Sequence, residues 1–163
     1  MKVIFLDIDG VLNSNFWTNS HQKEISEGTL IEEEKVRLIA KLVKETGAVI
    51  VMHSGWRFWF DKDLKPIRKE TQYLHRLFHT NKLEIYEMTP DLTTTEIREK
   101  KLFSKVKALE IVEWLKRNPK VRKWVVIDDL DLHNEEVEKR QIYTNSEVGI
   151  TENDIDKARE MLR

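Results

Sequence analysis

Near its start the chain reads Val3-Ile4-Phe5-Leu6-Asp7-Ile8-Asp9-Gly10-Val11-Leu12, an apolar run that leads into two aspartates and a glycine. The first four residues have the length and composition of a buried β-strand. Asp7 and Asp9 stand two residues apart, which directs both side chains to the same side of an extended backbone. Neighbouring carboxylates repel one another unless a cation or a shared proton holds them together. The segment therefore predicts a catalytic or metal site where a strand ends, the alternative being a simple Asp-Gly turn.

The composition is typical of one globular domain. The chain has 163 residues, 40% of them hydrophobic, so we expect residues 1–163 to form a single domain with one sizeable core. A net charge of −1 argues against a dedicated binder of duplex DNA. The absence of cysteine excludes disulfides, zinc–thiolate sites and cysteine nucleophiles.

No segment has the pattern of a membrane span or an export signal. No apolar stretch approaches the roughly 20 residues that cross a bilayer. The first residues lead straight into a strand, without the layout of a signal peptide. We therefore expect a cytoplasmic protein with no membrane partner, and the sequence carries no signal for its oligomeric state.

Strand-like and helical patterns alternate along the chain. Four further runs have the composition of strands, the second of them at an edge: Ala48–Met52, Leu83–Tyr86, Trp124–Ile127 and Gln141–Tyr143. Helical periodicity fills the intervals, with predicted starts at a Thr29–Glu32 capping box, near Pro66, at Lys105 and at Thr151. Residues 91–104 are polar and poorly periodic. This alternation predicts an α/β fold with a single doubly wound, mostly parallel, Rossmann-like sheet.

Chemically active residues follow three of the predicted strands. Asp7 and Asp9 follow the first, His53-Ser54-Gly55-Trp56-Arg57 the second, and Asp128-Asp129 the fourth, while Lys105 and Lys107 begin the helix before the fourth. The carboxyl ends of parallel strands share one edge of the sheet, where ligands bind. Carboxylates can hold Mg²⁺ or attack phosphorus, and a hydroxyl and an ammonium can bind the transferring oxygens. The set favours a phosphoryl group as the ligand.

In this order, the segments resemble the motifs of the haloacid dehalogenase-like (HAD) phosphohydrolases. The first motif of that superfamily, Asp-x-Asp-x-[Thr/Val], is matched by Asp7–Val11; a Ser or Thr after a strand, a Lys opening a helix and an acidic pair after a strand complete the set. The stretch Phe5–Asn13, together with Ser54-Gly55-Trp56-Arg57 and with Ile111 to Asp129, is similar to one branch. That branch includes the HAD domains of multidomain RNA-repair proteins and small stand-alone relatives.

The resemblance implies a role for each matching residue. Asp7 would be the nucleophile and a Mg²⁺ ligand, and Asp9 would be the general acid and then the base, with its main-chain carbonyl on the metal. Ser54 would bind the phosphoryl group and Lys107 would neutralise it. The metal site would be completed by Asp129 as the direct ligand and Asp128 through water.

Several assignments keep an alternative. His53 competes with Ser54, which we prefer because the motif requires a hydroxyl, and Lys105 competes with Lys107, whose spacing fits the branch better. Gly10 and Gly55 are expected to join Ser54 in contacting substrate. Arg57 fits a contact with substrate phosphate or nucleic-acid backbone and a surface ion pair equally well.

The aromatic residues divide into two groups. Trp56, Trp114 and Trp124 are expected to pack in the core. A second group falls in loops near the predicted site and could stack a nucleobase, line an apolar entrance or cover the sheet: Trp17, Phe58, Trp59 and Phe60.

The spacing of the motifs leaves little or no cap domain. Residues 13–28 suffice only for a loop or a short helical flap, and residues 58–104 are mostly used by the core. An uncapped site favours large substrates. We therefore expect a Mg²⁺-dependent phosphomonoesterase that forms an aspartyl-phosphate, with a nucleic-acid end or a nucleotide as its phosphorylated partner. The alternative is a non-catalytic or receiver-like module that binds phosphate or a phosphoprotein.

Overall fold

The computed structural model describes residues 1–163 as a five-stranded parallel sheet flanked by helices. The sheet has the order β3-β2-β1-β4-β5. Its strands are β1 (Lys2–Leu6), β2 (Val49–Met52), β3 (Ile85–Met88), β4 (Lys123–Asp128) and β5 (Gln141–Tyr143). The chain runs from β1 to one edge and then returns to the other side of β1, as in doubly wound folds. The predicted fold class is therefore confirmed, with β3 at an edge.

Eight α-helices and one 3₁₀ helix connect and cover the strands. The α-helices are α1 (Asn15–Ser20), α2 (Gln22–Ser26), α3 (Glu33–Thr46), α4 (Lys69–Thr80), α5 (Thr95–Lys100), α6 (Phe103–Arg117), α7 (Glu135–Glu138) and α8 (Glu152–Leu162). The 3₁₀ helix spans Gly55–Trp59, directly after β2. None of the helices is long and apolar enough to cross a membrane.

The sheet is buried on both faces. In β1, Ile4 and Leu6 join a core formed with α3, α4 and α8, whereas Val3 and Phe5 join a second core under α6 and α7. Trp114 and Trp124 meet the ring of Phe5 edge-on, with centroids 5.4 Å and 6.0 Å away. Burial on both faces explains why the strands read as continuous apolar runs.

The register of the three central strands brings their ends to one level. Leu6 of β1 pairs with Met52 of β2 on one side and with Ile127 of β4 on the other. The Asp7 amide still donates to the Ile127 carbonyl at 3.0 Å, and the His53 amide donates to the Leu6 carbonyl at 3.3 Å. The residues that follow these paired positions therefore leave the sheet side by side.

Several boundaries differ from the prediction. The Thr29–Glu32 capping box is wrong, because α3 begins at Glu33 and the side chain of its N-cap, Glu32, makes no capping hydrogen bond. The third strand begins two residues later than predicted, since the Leu83 amide donates to the Phe78 carbonyl and completes the end of α4. Helix α5 lies in the segment without a predicted element. The capping box at Thr151 is confirmed, with reciprocal hydrogen bonds to Asp154.

Candidate active site

Asp7, Lys107 and Asp128 form the centre of a charged network at the carboxyl edge of the sheet. Lys107, in the second turn of α6, places its Nζ 3.4 Å from Asp7 Oδ2 and 2.8 Å from Asp128 Oδ2. Both aspartates are buried, and they come from the ends of the adjacent strands β1 and β4. Lys105 is exposed. Of the two lysines that the sequence analysis weighed, Lys107 is thus the one that contacts Asp7.

His53 lies beneath the site and holds Asp128. Its Nε2 is 2.7 Å from Asp128 Oδ2, and the ring is fully buried at the end of β2. The other carboxylate oxygen, Asp128 Oδ1, accepts a hydrogen bond from the Leu130 amide at 2.9 Å. Asp128 is fully buried and does not line the cavity. Protein donors engage both of its oxygens, so Asp128 organises the network from behind the cavity lining, and its expected contact with a metal through water stays a prediction.

Asp9 is exposed and is held by two hydrogen bonds. The Trp56 indole Nε1 donates to Asp9 Oδ2 at 3.1 Å, and Asn13 Nδ2 donates to Asp9 Oδ1 at 3.0 Å. Asn13 also accepts from the Gly10 amide at 3.0 Å. The five-residue segment from Asp9 to Asn13 is thereby folded into a fixed turn, and the Trp56 hydrogen bond joins that turn to the loop after β2.

The loop after β2 presents Ser54 and Gly55 to the site. Ser54 is the N-cap of the 3₁₀ helix, where its Oγ accepts from the Trp56 amide at 3.1 Å, so the hydroxyl proton can be donated to a ligand. Ser54 and Gly55 line the cavity, whereas the ring of His53 points at Asp128.

Arg57 is a buried support of this loop. Its guanidinium donates to the carbonyl oxygens of His53 and Ser54 at 3.0 Å and 3.1 Å, and to Glu110 Oε2 of α6 at 2.6 Å. The same Glu110 oxygen accepts from the Leu92 amide at 2.9 Å. Both expectations for Arg57 are thus corrected: it forms an ion pair, but the pair is buried rather than on the surface, and its guanidinium does not reach the cavity lining.

Gly10 makes room for the second acidic motif. Its φ is +77°, and a Cβ placed on it would stand 2.4 Å from Asp129 Oδ2, so a side chain is excluded by both conformation and space. Its amide is occupied by Asn13 and its carbonyl accepts from Thr144 Oγ1 at 2.8 Å. Gly10 is therefore corrected from a substrate contact to a spacer that lets Asp129 approach the first motif.

These side chains surround one open cavity of about 390 Å³. Its acidic and basic lining comes from Asp7, Asp9, Asp129 and Lys107, and its remaining lining from Ser54, Gly55, Trp56, Trp59 and Leu130. No inserted domain covers it: residues 13–28 form only the two short helices α1 and α2. The residues predicted from four separate segments therefore meet at one accessible site.

The charges of this site are not balanced by protein groups alone. Burial, reinforced by the Asp128 charge and partly offset by Lys107, raises the pKa of Asp7 to about 6. Burial and the Asp128 charge likewise raise the pKa of Asp129 to about 6. Burial alone would raise the pKa of Asp128, but the His53 hydrogen bond and Lys107 hold it well below its ordinary range. Burial disfavours the charged ammonium, yet Asp7 and Asp128 hold the pKa of Lys107 above its usual value.

This donor set fits a hard divalent cation. Three carboxylates and one ammonium line the cavity, and carboxylate oxygens are the ligands that Mg²⁺ prefers. Oxygen atoms of Asp7 and Asp128 and a nitrogen of His53 also lie within 4.8 Å of one another. Within that triad, His53 and Lys107 already engage Asp128 Oδ2. The residues that could hold such a cation are therefore those on the open side, Asp7, Asp9 and Asp129.

The aromatic residues near the site have protein partners. Trp56 packs in the core, as expected, and Phe60 is buried too. Trp17 stacks on His21 with ring centroids 4.5 Å apart, and the guanidinium of Arg57 lies 4.4 Å from the centre of the exposed Phe58 ring. Of the loop aromatics, Trp59 lines the cavity.

Three functional partners escaped the sequence analysis: Asn13, Thr144 and Glu110. Asn13 and Thr144 act on the backbone of the first motif, and nothing in their local sequence marks that contact. Glu110 carries a weak signal, because a carboxylate between the apolar residues of α6 requires a buried partner.

Comparison with known proteins identifies the family. The family model described as the HAD domain in Swiss Army Knife RNA repair proteins matches residues 3–155. No curated protein and no solved structure matches the chain. The matched residues include both strands that carry acidic motifs, the Ser54 loop and α6, and they cover nearly all of the sequence. The chain therefore belongs to the family of HAD domains of Swiss Army Knife RNA repair proteins, within the HAD phosphohydrolase superfamily.

Proposed function

We propose that this protein is a Mg²⁺-dependent phosphomonoesterase that acts through an aspartyl-phosphate. One observation carries the proposal: Asp7 lies on the cavity wall 3.4 Å from the Lys107 ammonium, with Asp9 lining the same cavity. A nucleophile, a cation for the phosphoryl oxygens and a carboxylate for proton transfer are the protein groups that this reaction needs.

In the first step an Asp7 oxygen attacks phosphorus. The bond between phosphorus and the substrate alcohol oxygen breaks, and the carboxylic acid form of Asp9 gives its proton to that leaving oxygen. Lys107 and the Ser54 hydroxyl bind the phosphoryl oxygens as negative charge moves across them. Asp7, Asp129 and the main-chain oxygen of Asp9 would hold Mg²⁺, which would supply further charge neutralisation when bound.

In the second step water attacks the phosphorus of the aspartyl-phosphate. The Asp9 carboxylate takes a proton from that water, the bond between phosphorus and Asp7 breaks, and inorganic phosphate leaves. The hydrogen bonds from Trp56 and Asn13 keep Asp9 beside the cavity in both steps. Asp9 returns to its acidic form, ready for the next substrate.

Two features favour turnover over stable binding of phosphate. Asp9 stands two residues from Asp7 and lines the same cavity, so a base for hydrolysis of the phosphorylated aspartate is at hand. A receiver domain carries its acidic pair after the first strand but its acceptor alone after the third. Here β3 ends at Met88, and Asp91 stands three residues beyond it, a poor place for such an acceptor.

A phosphorylated nucleic-acid end or nucleotide is the proposed substrate class. The cavity is open, without an inserted domain to enclose a small molecule. The matched family is described by its occurrence in RNA repair proteins, and repair of a nucleic-acid break calls for removal of terminal phosphates. Both arguments point to a phosphate that protrudes from a larger chain.

Phosphate release is the experiment that tests the proposal. The substrates are p-nitrophenyl phosphate, 3′- and 5′-phosphorylated oligonucleotides and mononucleotides, each with Mg²⁺ and with EDTA. Release should require Mg²⁺, fall to background in Asp7→Asn and persist in Asp131→Asn, which makes the same change on an exposed aspartate outside the cavity lining. A hydroxylamine-labile phosphoryl label on the wild type, absent from Asp7→Asn, would identify the intermediate. Mg²⁺ binding without release from any substrate would favour the binding module.

A further inference from the structure

Arg68 lies on the outer face of a tryptophan that lines the candidate active site. The central carbon of its guanidinium is 4.4 Å from the centre of the Trp59 ring, and Trp59 borders the cavity together with Asp9 and Ser54. Arg68 belongs to the chain segment just before α4. A positive charge is thus placed beside a side chain that lines the space where a phosphoryl group would bind.

The indole that carries Arg68 is itself fixed. Trp59 packs against Trp56, with ring centroids 5.2 Å apart and planes at 43°, and Trp56 is buried and bonded to Asp9. Trp59 therefore already has two protein partners, Trp56 and Arg68, which argues against its stacking a nucleobase. A guanidinium stacked on an aromatic face keeps its edge free to donate, and the stacking limits its motion before any ligand arrives.

The Arg68 guanidinium is also less strongly engaged than its basic neighbours. Its side chain is 53% exposed and forms a single long ion pair, from Nε to Glu70 Oε2 at 3.9 Å, which is too far for a hydrogen bond. Arg57 forms a buried ion pair with Glu110, and Lys69 donates to the Ser26 carbonyl at 3.0 Å. Since three of the four charged residues that line the cavity are carboxylates, an anionic substrate gains from a further cation at this rim.

From these contacts we propose that Arg68, held on Trp59, binds a second anionic group of the substrate, the phosphodiester next to the terminal phosphate. The inference rests on the proposed phosphatase function and narrows its substrate class. A strand end with at least one phosphodiester would be bound at two points, whereas a nucleoside monophosphate would be bound at one. Neither nucleobase identity nor base pairing enters this recognition.

Neutralising the phosphodiester tests the contact directly. The substrate is a terminally phosphorylated dinucleotide, compared with the same dinucleotide carrying an uncharged methylphosphonate linkage. For the wild type we expect kcat/KM to fall roughly tenfold on neutralisation, the effect of losing one charge-assisted hydrogen bond. In Arg68→Gln, kcat/KM for the charged dinucleotide should fall to that lower level through KM, and the response to neutralisation should disappear.

Two further variants separate the contact from general effects of charge. Arg76→Gln removes an exposed arginine that also lies over an aromatic ring, Tyr73, two turns further along α4; it should behave as the wild type. Trp59→Leu removes the support, so its loss should equal that of Arg68→Gln and should not add to it. Equal responses to neutralisation in the wild type and in Arg68→Gln would overturn the inference, as would equal losses in Arg68→Gln and Arg76→Gln.

The failure of this inference is distinguishable from the failure of the proposed function. If p-nitrophenyl phosphate is hydrolysed but the charged and neutral dinucleotides are equivalent, only the Arg68 contact is wrong. If nothing is hydrolysed, calorimetric binding of the two dinucleotides to Asp7→Asn still measures the contact without turnover. A tighter Kd for the charged dinucleotide that Arg68→Gln abolishes supports the contact even then, and equal Kd values overturn it.

Discussion

Replacing Glu110 by alanine should destabilise the protein strongly, although Glu110 lies outside the cavity. Its side chain is 1% exposed and that of its partner Arg57 is 6% exposed, with Nη2 and Oε2 2.6 Å apart. Removing one member of a buried ion pair costs about 3–5 kcal/mol, because the other charge stays buried without compensation. Arg57 keeps two carbonyl acceptors, on His53 and Ser54, so we expect a cost at the lower end of this range. The Leu92 amide also loses its acceptor, which costs about 1 kcal/mol more.

The expected loss is therefore about 4 kcal/mol in the free energy of unfolding. Urea denaturation measures this loss. An m value equal to that of the wild type would show that the variant exposes the same surface on unfolding. Glu113→Ala is the matched control, because Glu113 lies on the same helix in an exposed pair with Arg117, and such pairs contribute at most about 0.5 kcal/mol.

Replacing both partners by apolar residues completes the test. Burial raises the pKa of Glu110 in spite of the Leu92 amide and Arg57. These two partners therefore do not fully offset the cost of removing the charged carboxylate from water. Arg57→Met with Glu110→Leu should therefore cost less than Glu110→Ala alone. A loss below 1 kcal/mol in Glu110→Ala, indistinguishable from Glu113→Ala, would refute the reasoning that this pair is desolvated.

The other predictions concern the candidate site. Lys107→Met should lower kcat for p-nitrophenyl phosphate by about 100-fold or more, the cost of losing one donor to a developing charge, while the exposed Lys105→Met should stay within about twofold of the wild type. Gly10→Ala should lose stability to urea and weaken Mg²⁺ binding by calorimetry, since the new Cβ would displace Asp129. The pKa values of Asp7 and Asp129 are raised to about 6, so their charges disfavour the metal-free fold above that pH. The metal-free Tm should therefore rise as pH falls from about 6 towards about 4, and the increase in Tm caused by Mg²⁺ should fade over the same range as protons compete for the same oxygens.

The sheet could be predicted from the sequence because parallel strands buried on both faces are continuous apolar runs. Strands β1, β2 and β4 coincide with such runs to within a residue or two. Helix α5 could not be predicted in this way: it has six residues and buries none of them, so no apolar stripe marks it. Its start depends on the Thr94 side chain, which accepts from the Ile97 amide at 3.2 Å.

The site could be predicted at the level of segments but not of contacts. Chain order and the shared edge of a parallel sheet suffice to bring Asp7, Ser54 and Asp128 together. The local sequence does not decide whether Arg57 contacts substrate or forms a surface ion pair, because its partner Glu110 is 53 residues away. Only the packing of α6 on the loop after β2 brings the two side chains into one buried space.

Helix α6 emerges as the element that sets the geometry of the site. Lys107 and Glu110 are three residues apart and therefore lie on neighbouring turns of one helix face. Lys107 contacts the ends of β1 and β4, and Glu110 reaches, through Arg57, the carbonyl oxygens that precede and follow the Ser54 amide. One rigid helix thus fixes both the cation beside Asp7, the proposed nucleophile, and the loop that carries Ser54, the proposed phosphoryl-binding residue. Since catalysis is sensitive to displacements of about 1 Å, a loss of the Arg57–Glu110 pair should reduce turnover beyond what the fraction of unfolded protein explains.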